Sequence, residues 1–114
     1  MPAPNLIEEL MALHLAELGV PYCRQYVYVP GRNFRADFAL PSLRLLVEVQ
    51  GGIYSRRTHG SITGVLADLK RGNEAAIAGW HVLRVTPDEV SDGRALALVR
   101  RFIAARERGL LCCE

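Results

Sequence analysis

The chain has 114 residues, 50% hydrophobic and 23% charged, with a formal net charge of +2 at pH 7. This length suits a single domain, predicted over residues 1–114, with a core that needs no disulfides or structural metal. No apolar run approaches the ~20 residues that span a bilayer, MPAPNLIEEL does not resemble a signal peptide, and the three cysteines include no CxxC pair, so we expect a cytoplasmic protein.

The first predicted element is a helix over residues 6–18, with Asn5 as its N-cap. Apolar side chains recur along it at helical spacing, at Ile7, Leu10, Met11, Leu15 and Leu18. Gly19 and Pro21 end the helix.

Three predicted strands follow, separated by short turns. CRQYVYV (residues 23–29) is rich in aromatic and β-branched residues, FRADFAL (34–40) alternates, and LLVEVQ (45–50) is an apolar run. The intervening PGRN and PSLR are turn sequences.

The second half of the chain alternates helix and strand. GGIYSRRTHG reads as a polar loop, followed by a helix over residues 61–78 whose apolar members are Val65, Leu66, Leu69, Ala76 and Ile77. WHVLRVT predicts a fourth strand, and PDEVSDG predicts a turn in which Ser91 or Asp92 caps a last helix over residues 93–108. The inward positions of that helix are Leu96, Val99, Phe102 and Ile103.

The predicted fold class is α/β, with the order α-β-β-β-α-β-α. Short turns make the first three strands an antiparallel meander. The fourth strand arrives through a helix and should lie parallel to its partner by a right-handed crossover. The result is a small mixed β-sheet with helices on both faces.

Two carboxylates interrupt the apolar strands. Glu48 lies within LLVEVQ, and Asp37 lies between Ala36 and Phe38 on the preceding strand. An ionised carboxylate in an apolar strand is costly unless it is paired or bound to a metal, and no basic residue is close to Glu48 in sequence. A hairpin would place the two side by side, where they repel each other unless a cation lies between them. Hard oxygen ligands suit Mg²⁺ or Mn²⁺, with the carbonyl of Val49 as a natural third ligand.

Asp37 followed by Glu48-Val49-Gln50 resembles the D…E-x-K core of the PD-(D/E)xK nuclease superfamily, in an E-x-Q variant. The element order also matches, so the resemblance covers nearly the whole chain and implies a restriction-endonuclease-like domain. Gln50 replaces a lysine that helps to orient or activate the attacking water. Some members recruit a lysine from the next helix, and Lys70, the only lysine of this chain, lies there. The segment from Asp68 to Thr86 also resembles compact members, in which a polar residue on that helix faces the site.

Within the superfamily, archaeal-type Holliday junction resolvases fit this size and complete their site with a glutamate on the first helix. Glu8 and Glu9 are the candidates here, and Glu8 is preferred because it borders the apolar face of the helix. The resemblance thus implies a metal site of Glu8, Asp37, Glu48 and the Val49 carbonyl, and a catalytic set that adds Gln50 and Lys70. The metal is Mg²⁺, with Mn²⁺ as a substitute.

Side chains that could contact DNA phosphates are Arg35, Arg56, Arg57 and His59, three of which lie in the loop that leaves the third strand. Thirteen of the fourteen basic residues are arginine, which suits phosphate recognition but also reflects codon bias. Asp37 could instead form a structural bridge with Arg35 or Arg84. The aromatic side chains of Tyr22, Tyr26 and Tyr28 could stack on bases, although packing on a strand face is favoured.

The function that follows from the resemblance is a Mg²⁺-dependent, structure-specific endodeoxyribonuclease. The favoured form is a homodimeric Holliday junction resolvase that makes paired symmetric cuts in four-way DNA junctions. The first or second helix or the last strand could supply the dimer surface. The alternatives are a very-short-patch-repair or restriction-like nicking endonuclease, and a catalytically inactive DNA-binding subunit of the same fold.

Overall fold

The computed structural model describes residues 3–50 and 62–109, with side chains from residue 6 onward. The helices are α1 (Ala3–Glu17), α2 (Ile62–Ile77), α3 (Pro87–Ser91) and α4 (Arg94–Glu107). The strands are β1 (Cys23–Val27), β2 (Arg35–Leu40), β3 (Leu45–Val49) and β4 (His81–Val85). The predicted loop at residues 51–60 lies outside the described ranges, and the single domain over residues 1–114 stays a prediction.

The described strands form one sheet in the order β1-β2-β3-β4. β1 pairs with β2, and β2 with β3, in antiparallel fashion, whereas β4 runs parallel to β3. The predicted antiparallel meander and the parallel placement of the fourth strand are therefore confirmed. A 3-10 turn over Pro41–Leu43 closes the β2–β3 hairpin, with Arg44 in the left-handed region.

The sheet separates two apolar cores, because strand side chains alternate between its faces. The larger core joins α1, α3 and α4 to one face through buried side chains, among them Met11, Leu15, Phe38, Val47, Val90 and Val99. The smaller core lies on the α2 side and contains Tyr28, Ala36, Ala39, Leu46, Ala75 and Trp80. Helices thus cover both faces, as predicted.

The segment after β4 corrects one prediction. PDEVSDG is not only a turn, because residues 87–91 form a short helix. The Thr86 hydroxyl accepts from the backbone N–H of Glu89, while the Glu89 carboxylate accepts from the N–H of Thr86. This capping box satisfies two backbone donors and starts the helix immediately after the strand. The N-cap of α4 is Gly93, and Asp92 accepts from the backbone N–H of Arg94 instead of capping the helix.

Helix α2 leaves most of its large apolar side chains exposed. Ala75 is its buried residue, whereas Ile62, Val65, Leu66, Leu69 and Ile77 face outward. These five residues are called the α2 stripe below. The sequence pattern identified an apolar face, but the structure does not pack that face against the described part of the sheet.

None of the helices within the described ranges is long and apolar enough to cross a membrane.

Candidate active site

The β2–β3 hairpin places Asp37 opposite Glu48. Phe38 pairs with Val47 and Leu40 with Leu45, and one further step of this antiparallel register brings the two acidic residues across from each other. Directly opposed residues project from the same face of a sheet. The side-by-side placement expected from the sequence is therefore present in the backbone register.

Asp37 occupies a half-buried position at the open end of the hairpin. The backbone N–H of Val49 donates to its Oδ2 atom over 2.8 Å. Burial raises the pKa of the Asp37 carboxyl, and the negative charge of Glu8 raises it further. Within residues 3–50 and 62–109, neither Arg35 nor Arg84 forms an ion pair with Asp37, and the positive charge of Arg71 lowers the pKa of Asp37 by less than burial raises it.

Gln25 is a site residue that sequence reasoning missed. Arg24 pairs with Phe38 and Tyr26 with Ala36, so Gln25 lies across from Asp37 on β1. Its φ angle is +51°, in the left-handed region that non-glycine residues rarely occupy. Its amide donates to Glu8 Oε2 over 3.2 Å, and hydrogen bonding from the same side chain lowers the pKa of Asp37. Gln25 therefore links the two carboxylates, and no sequence pattern reveals it.

Glu8 and Glu9 of α1 differ in exposure and in their electrostatic effect on Asp37. The Glu8 side chain is 23% exposed and that of Glu9 59% exposed. Arg24 bridges both, at 3.2 Å from Glu8 Oε1 and 2.9 Å from Glu9 Oε2. The hydrogen bond from Arg24 lowers the pKa of Glu9, whereas the charge of Glu8 is felt at Asp37. The choice of Glu8 over Glu9 and the role of Glu8 as a metal ligand both stay predictions.

Glu48 is buried between two arginines that the sequence analysis did not assign to it. Arg71 of α2 approaches Glu48 Oε2 at 3.6 Å, and Arg84 of β4 approaches Oε1 at 3.5 Å. The parallel register places Arg84 directly beside Glu48. The sequence showed no basic residue near Glu48, but the crossover helix and the last strand bring two into contact with it.

Gln50 and Lys70 occupy different surroundings. The Gln50 amide lies 3.5 Å from Glu48 Oε1, at the edge of the site. Lys70 is exposed on α2, and its neighbour Arg71 is the residue of that helix that contacts Glu48. The residue of α2 in contact with Glu48 is thus Arg71, and a catalytic role for Lys70 stays a prediction.

The predicted DNA contacts are only partly described. Arg35 is exposed on β2, and its carbonyl oxygen accepts from Arg71 over 2.8 Å. Arg56, Arg57 and His59 lie outside the described residues.

The three tyrosines of the first strand region pack against other aromatic rings. The ring centroids of Tyr22 and Phe38 lie 6.0 Å apart, those of Tyr26 and Trp80 5.4 Å, and those of Tyr28 and Phe34 6.3 Å. Packing, rather than base stacking, accounts for them.

The donors suit a hard divalent cation in type and position. Asp37 and Glu48 are opposed in the backbone register of the hairpin, and carboxylate oxygens are ligands that such a cation prefers. No three acidic, histidine or cysteine side chains converge on one point in the part of the chain that the structure describes. A cation bound here would therefore rely on two carboxylates together with backbone and water oxygens, unless Glu8 leaves Arg24 to join them.

Comparison with known proteins identifies the fold but no family. No family model and no curated protein matches the chain. A solved structure, the catalytic domain of the homing endonuclease I-Bth0305I, matches with a TM-score of 0.67 and 23% sequence identity. The match covers 87% of this chain and 94% of that domain. The chain therefore has the fold of a homing endonuclease catalytic domain, as a mixed α/β structure with a four-stranded sheet in its described part.

Proposed function

We propose that the protein is a divalent-metal-dependent endodeoxyribonuclease. The observation that carries the proposal is the pairing of Asp37 with Glu48 across the β2–β3 hairpin, in a fold that is similar to an endonuclease catalytic domain. Asp37 is a half-buried carboxylate whose pKa is raised by burial, and carboxylates with perturbed pKa values cluster at functional sites.

The hairpin would hold Mg²⁺, or Mn²⁺ in its place, through Asp37, Glu48 and the Val49 carbonyl, and Glu8 of α1 would complete the set. When bound, the cation would lower the pKa of a water ligand and stabilise the charge that develops on the phosphate. The Val49 N–H fixes the orientation of the Asp37 carboxylate, and Gln25 keeps Glu8 beside it. The Gln50 amide, at the rim of the site, would orient water or phosphate by hydrogen bonding, with Lys70 as a further candidate.

Cleavage assays with a matched variant pair test the proposal. A labelled four-way junction and a linear duplex of the same sequence are incubated with Mg²⁺, with Mn²⁺ and with EDTA. Asp37→Asn should abolish cleavage, because the amide retains an acceptor for Val49 but loses the charge that binds the metal. Asp92→Asn, which removes an exposed aspartate paired with Arg94, should retain full activity. Equal activity of both variants would contradict the assignment of the site, and a lack of cleavage by folded wild-type protein would contradict the enzyme.

The favoured substrate is the four-way DNA junction, which makes the protein a Holliday junction resolvase. The support is the resemblance of the sequence to junction-resolving nucleases, together with a first-helix glutamate whose charge acts on Asp37. Paired symmetric cuts in the junction alone would support this substrate.

A linear duplex is the second candidate, because the similar structure belongs to a homing endonuclease. Cleavage of both substrates would favour it, and nicking of one strand would favour the repair-like alternative. If neither DNA is cut, junction binding that is equal in wild type and Asp37→Asn would identify an inactive DNA-binding subunit.

Two symmetric cuts need two active sites, and each chain carries one, so the resolvase hypothesis includes a homodimer. The α2 stripe is the surface we propose for it: five large exposed apolar side chains on a helix of 16 residues, which spans about 24 Å. Light scattering after size-exclusion chromatography tests this surface. Leu66→Lys/Leu69→Lys should convert a dimer to a monomer, whereas Leu13→Lys, at an exposed leucine of α1, should leave the mass unchanged.

A further inference from the structure

The Glu48 carboxylate lies between two guanidinium groups and forms a short hydrogen bond with neither. Its oxygens lie 3.6 Å from Arg71 Nη2 and 3.5 Å from Arg84 Nε. A direct charge-assisted N–H···O bond is shorter, at about 2.7–2.9 Å. The two guanidinium groups therefore flank an anion with which neither forms a close bidentate pair, and that anion can be exchanged for another.

Arg71 is held in place without Glu48. Its Nη2 donates to the carbonyl oxygen of Arg35 over 2.8 Å, and its guanidinium lies 5.8 Å from the centroid of the Phe34 ring. The Tyr28 hydroxyl donates to the backbone carbonyl of Arg71 over 3.5 Å. Contacts to three other residues therefore keep this cation at the site if Glu48 turns toward a metal.

Arg84 connects the same position to solvent. Its side chain is 46% exposed, compared with 29% for Arg71 and 11% for Glu48. Gly72 of α2 lies beside it, and a Cβ atom at that glycine would come within 3.6 Å of Arg84 Nη2. The Arg84 guanidinium is therefore packed beside the α2 backbone on one side and open to solvent over nearly half of its side chain.

We infer that Arg71 and Arg84 form a binding site for a DNA phosphodiester, and that Glu48 occupies this site until it takes a divalent cation. The inference rests on the proposed function, because it needs Glu48 to be a metal ligand. Two cations face one carboxylate here. Once a metal takes over the charge of Glu48, Arg71 and Arg84 lose the carboxylate that lies between them. A phosphodiester supplies one negative charge and two free oxygens, which can engage both guanidiniums.

Salt-dependent DNA binding tests the inference without relying on cleavage. Fluorescence anisotropy of a labelled duplex is measured over a series of NaCl concentrations, in Ca²⁺, which takes oxygen ligands, and in EDTA. Each lost phosphate contact lowers the slope of log affinity against log salt by about 0.9. Because the two arginines share one phosphate, Arg71→Gln/Arg84→Gln in Ca²⁺ should lower the magnitude of that slope by about 0.9. The control Arg100→Gln/Arg101→Gln, on exposed α4 arginines, should not.

The conservative variant and the metal-free series separate phosphate binding from a structural bridge. Arg71→Lys/Arg84→Lys keeps both charges and should restore the wild-type slope. In EDTA, Glu48 fills the site, so the glutamine variant should differ little from wild type. The inference would be overturned if the glutamine variant kept the wild-type slope in Ca²⁺, or if its slope fell by the same amount in Ca²⁺ and in EDTA. If the double variant does not fold, each single variant should lower the magnitude of the slope in Ca²⁺, by at most about 0.9, and should leave it close to the wild-type value in EDTA.

Cleavage in Mg²⁺, followed in parallel, keeps this inference distinct from the proposed function. If DNA is cut but the salt slope of the glutamine variant equals that of wild type, the phosphate site at Arg71 and Arg84 is wrong and the proposed nuclease function stands. A slope that falls as expected, without cutting in any metal, would retain the phosphate site and overturn the enzyme.

Discussion

The contact between Glu48 and Arg71 should be measurable as a coupling free energy. Glu48→Gln, Arg71→Gln and the double variant form a mutant cycle in which the non-additive part of the free energy of unfolding reports the pair. Charges 3.6 Å apart attract by about 1.2 kcal/mol in water and about 4.6 kcal/mol at an effective dielectric constant of 20.

The burial of the two side chains decides where between these limits the coupling falls. Glu48 is 11% and Arg71 29% exposed, so the pair is shielded from water more than a surface bridge, which contributes about 0.2–1 kcal/mol. Side-chain ordering and the contact distance reduce the upper limit. We expect a coupling free energy of about 1–2 kcal/mol in low salt. In a domain of this size, each kcal/mol shifts Tm by about 3–6 °C.

Urea unfolding at low ionic strength is the assay, because guanidinium chloride would screen the pair. The same cycle with Arg84, whose side chain is 46% exposed, should give a smaller coupling. A cycle with the exposed Arg100 of α4 should be additive within about 0.5 kcal/mol. No coupling with Arg71, or a larger one with Arg84, would refute the reasoning from burial.

Three further predictions concern the carboxylate site. Burial raises the pKa of Asp37, so the stability that this group contributes is full below its ordinary pKa of 3.8 and is lost as pH rises through the raised value. In urea unfolding without metal, Asp37→Asn should therefore be more stable than wild type at pH 7, and the difference in unfolding free energy should shrink toward pH 4. A difference that does not change with pH would contradict the raised pKa. Mg²⁺ at 100 times its Kd should stabilise wild type by about 2.7 kcal/mol in thermal unfolding and leave Asp37→Asn unchanged; an equal shift in both would place the metal elsewhere. Gln25→Gly should relieve the left-handed backbone at this position, a strain of order 1 kcal/mol, so the variant should unfold no more easily than wild type. It should bind Mn²⁺ more weakly in titration calorimetry, because Glu8 loses its link to Asp37. An unchanged Mn²⁺ affinity would show that the link has no role in metal binding.

The element order and the acidic hairpin follow from local features of the sequence. Apolar periodicity identifies the strands, and short turns between them allow only an antiparallel meander, so Asp37 and Glu48 must meet on one face. Two carboxylates within apolar strands are recognisable without a structure, because burial of an unpaired charge is unfavourable.

For α2 and for residues 87–91, the sequence indicated part of the local structure but not how it packs or ends. The apolar residues of α2 predicted a helix, but not that Leu66 and Leu69 stay exposed while Ala75 packs on the sheet. Residues 87–91 form a helix because Thr86 and Glu89 complete a capping box, a local signal present in the sequence that the turn assignment missed.

The tertiary structure alone decided which cations meet Glu48. Lys70 and Arg71 are neighbours on α2, and a helix turns by about 100° per residue, so the docking angle of the helix determines which of them points at the sheet. The parallel register of β4, set by the crossover, brings Arg84 beside Glu48. The strained backbone of Gln25 likewise depends on its position opposite Asp37. Pairing within a hairpin is short-range and therefore readable from sequence, whereas contacts across a crossover depend on how separate elements pack, which no local pattern specifies.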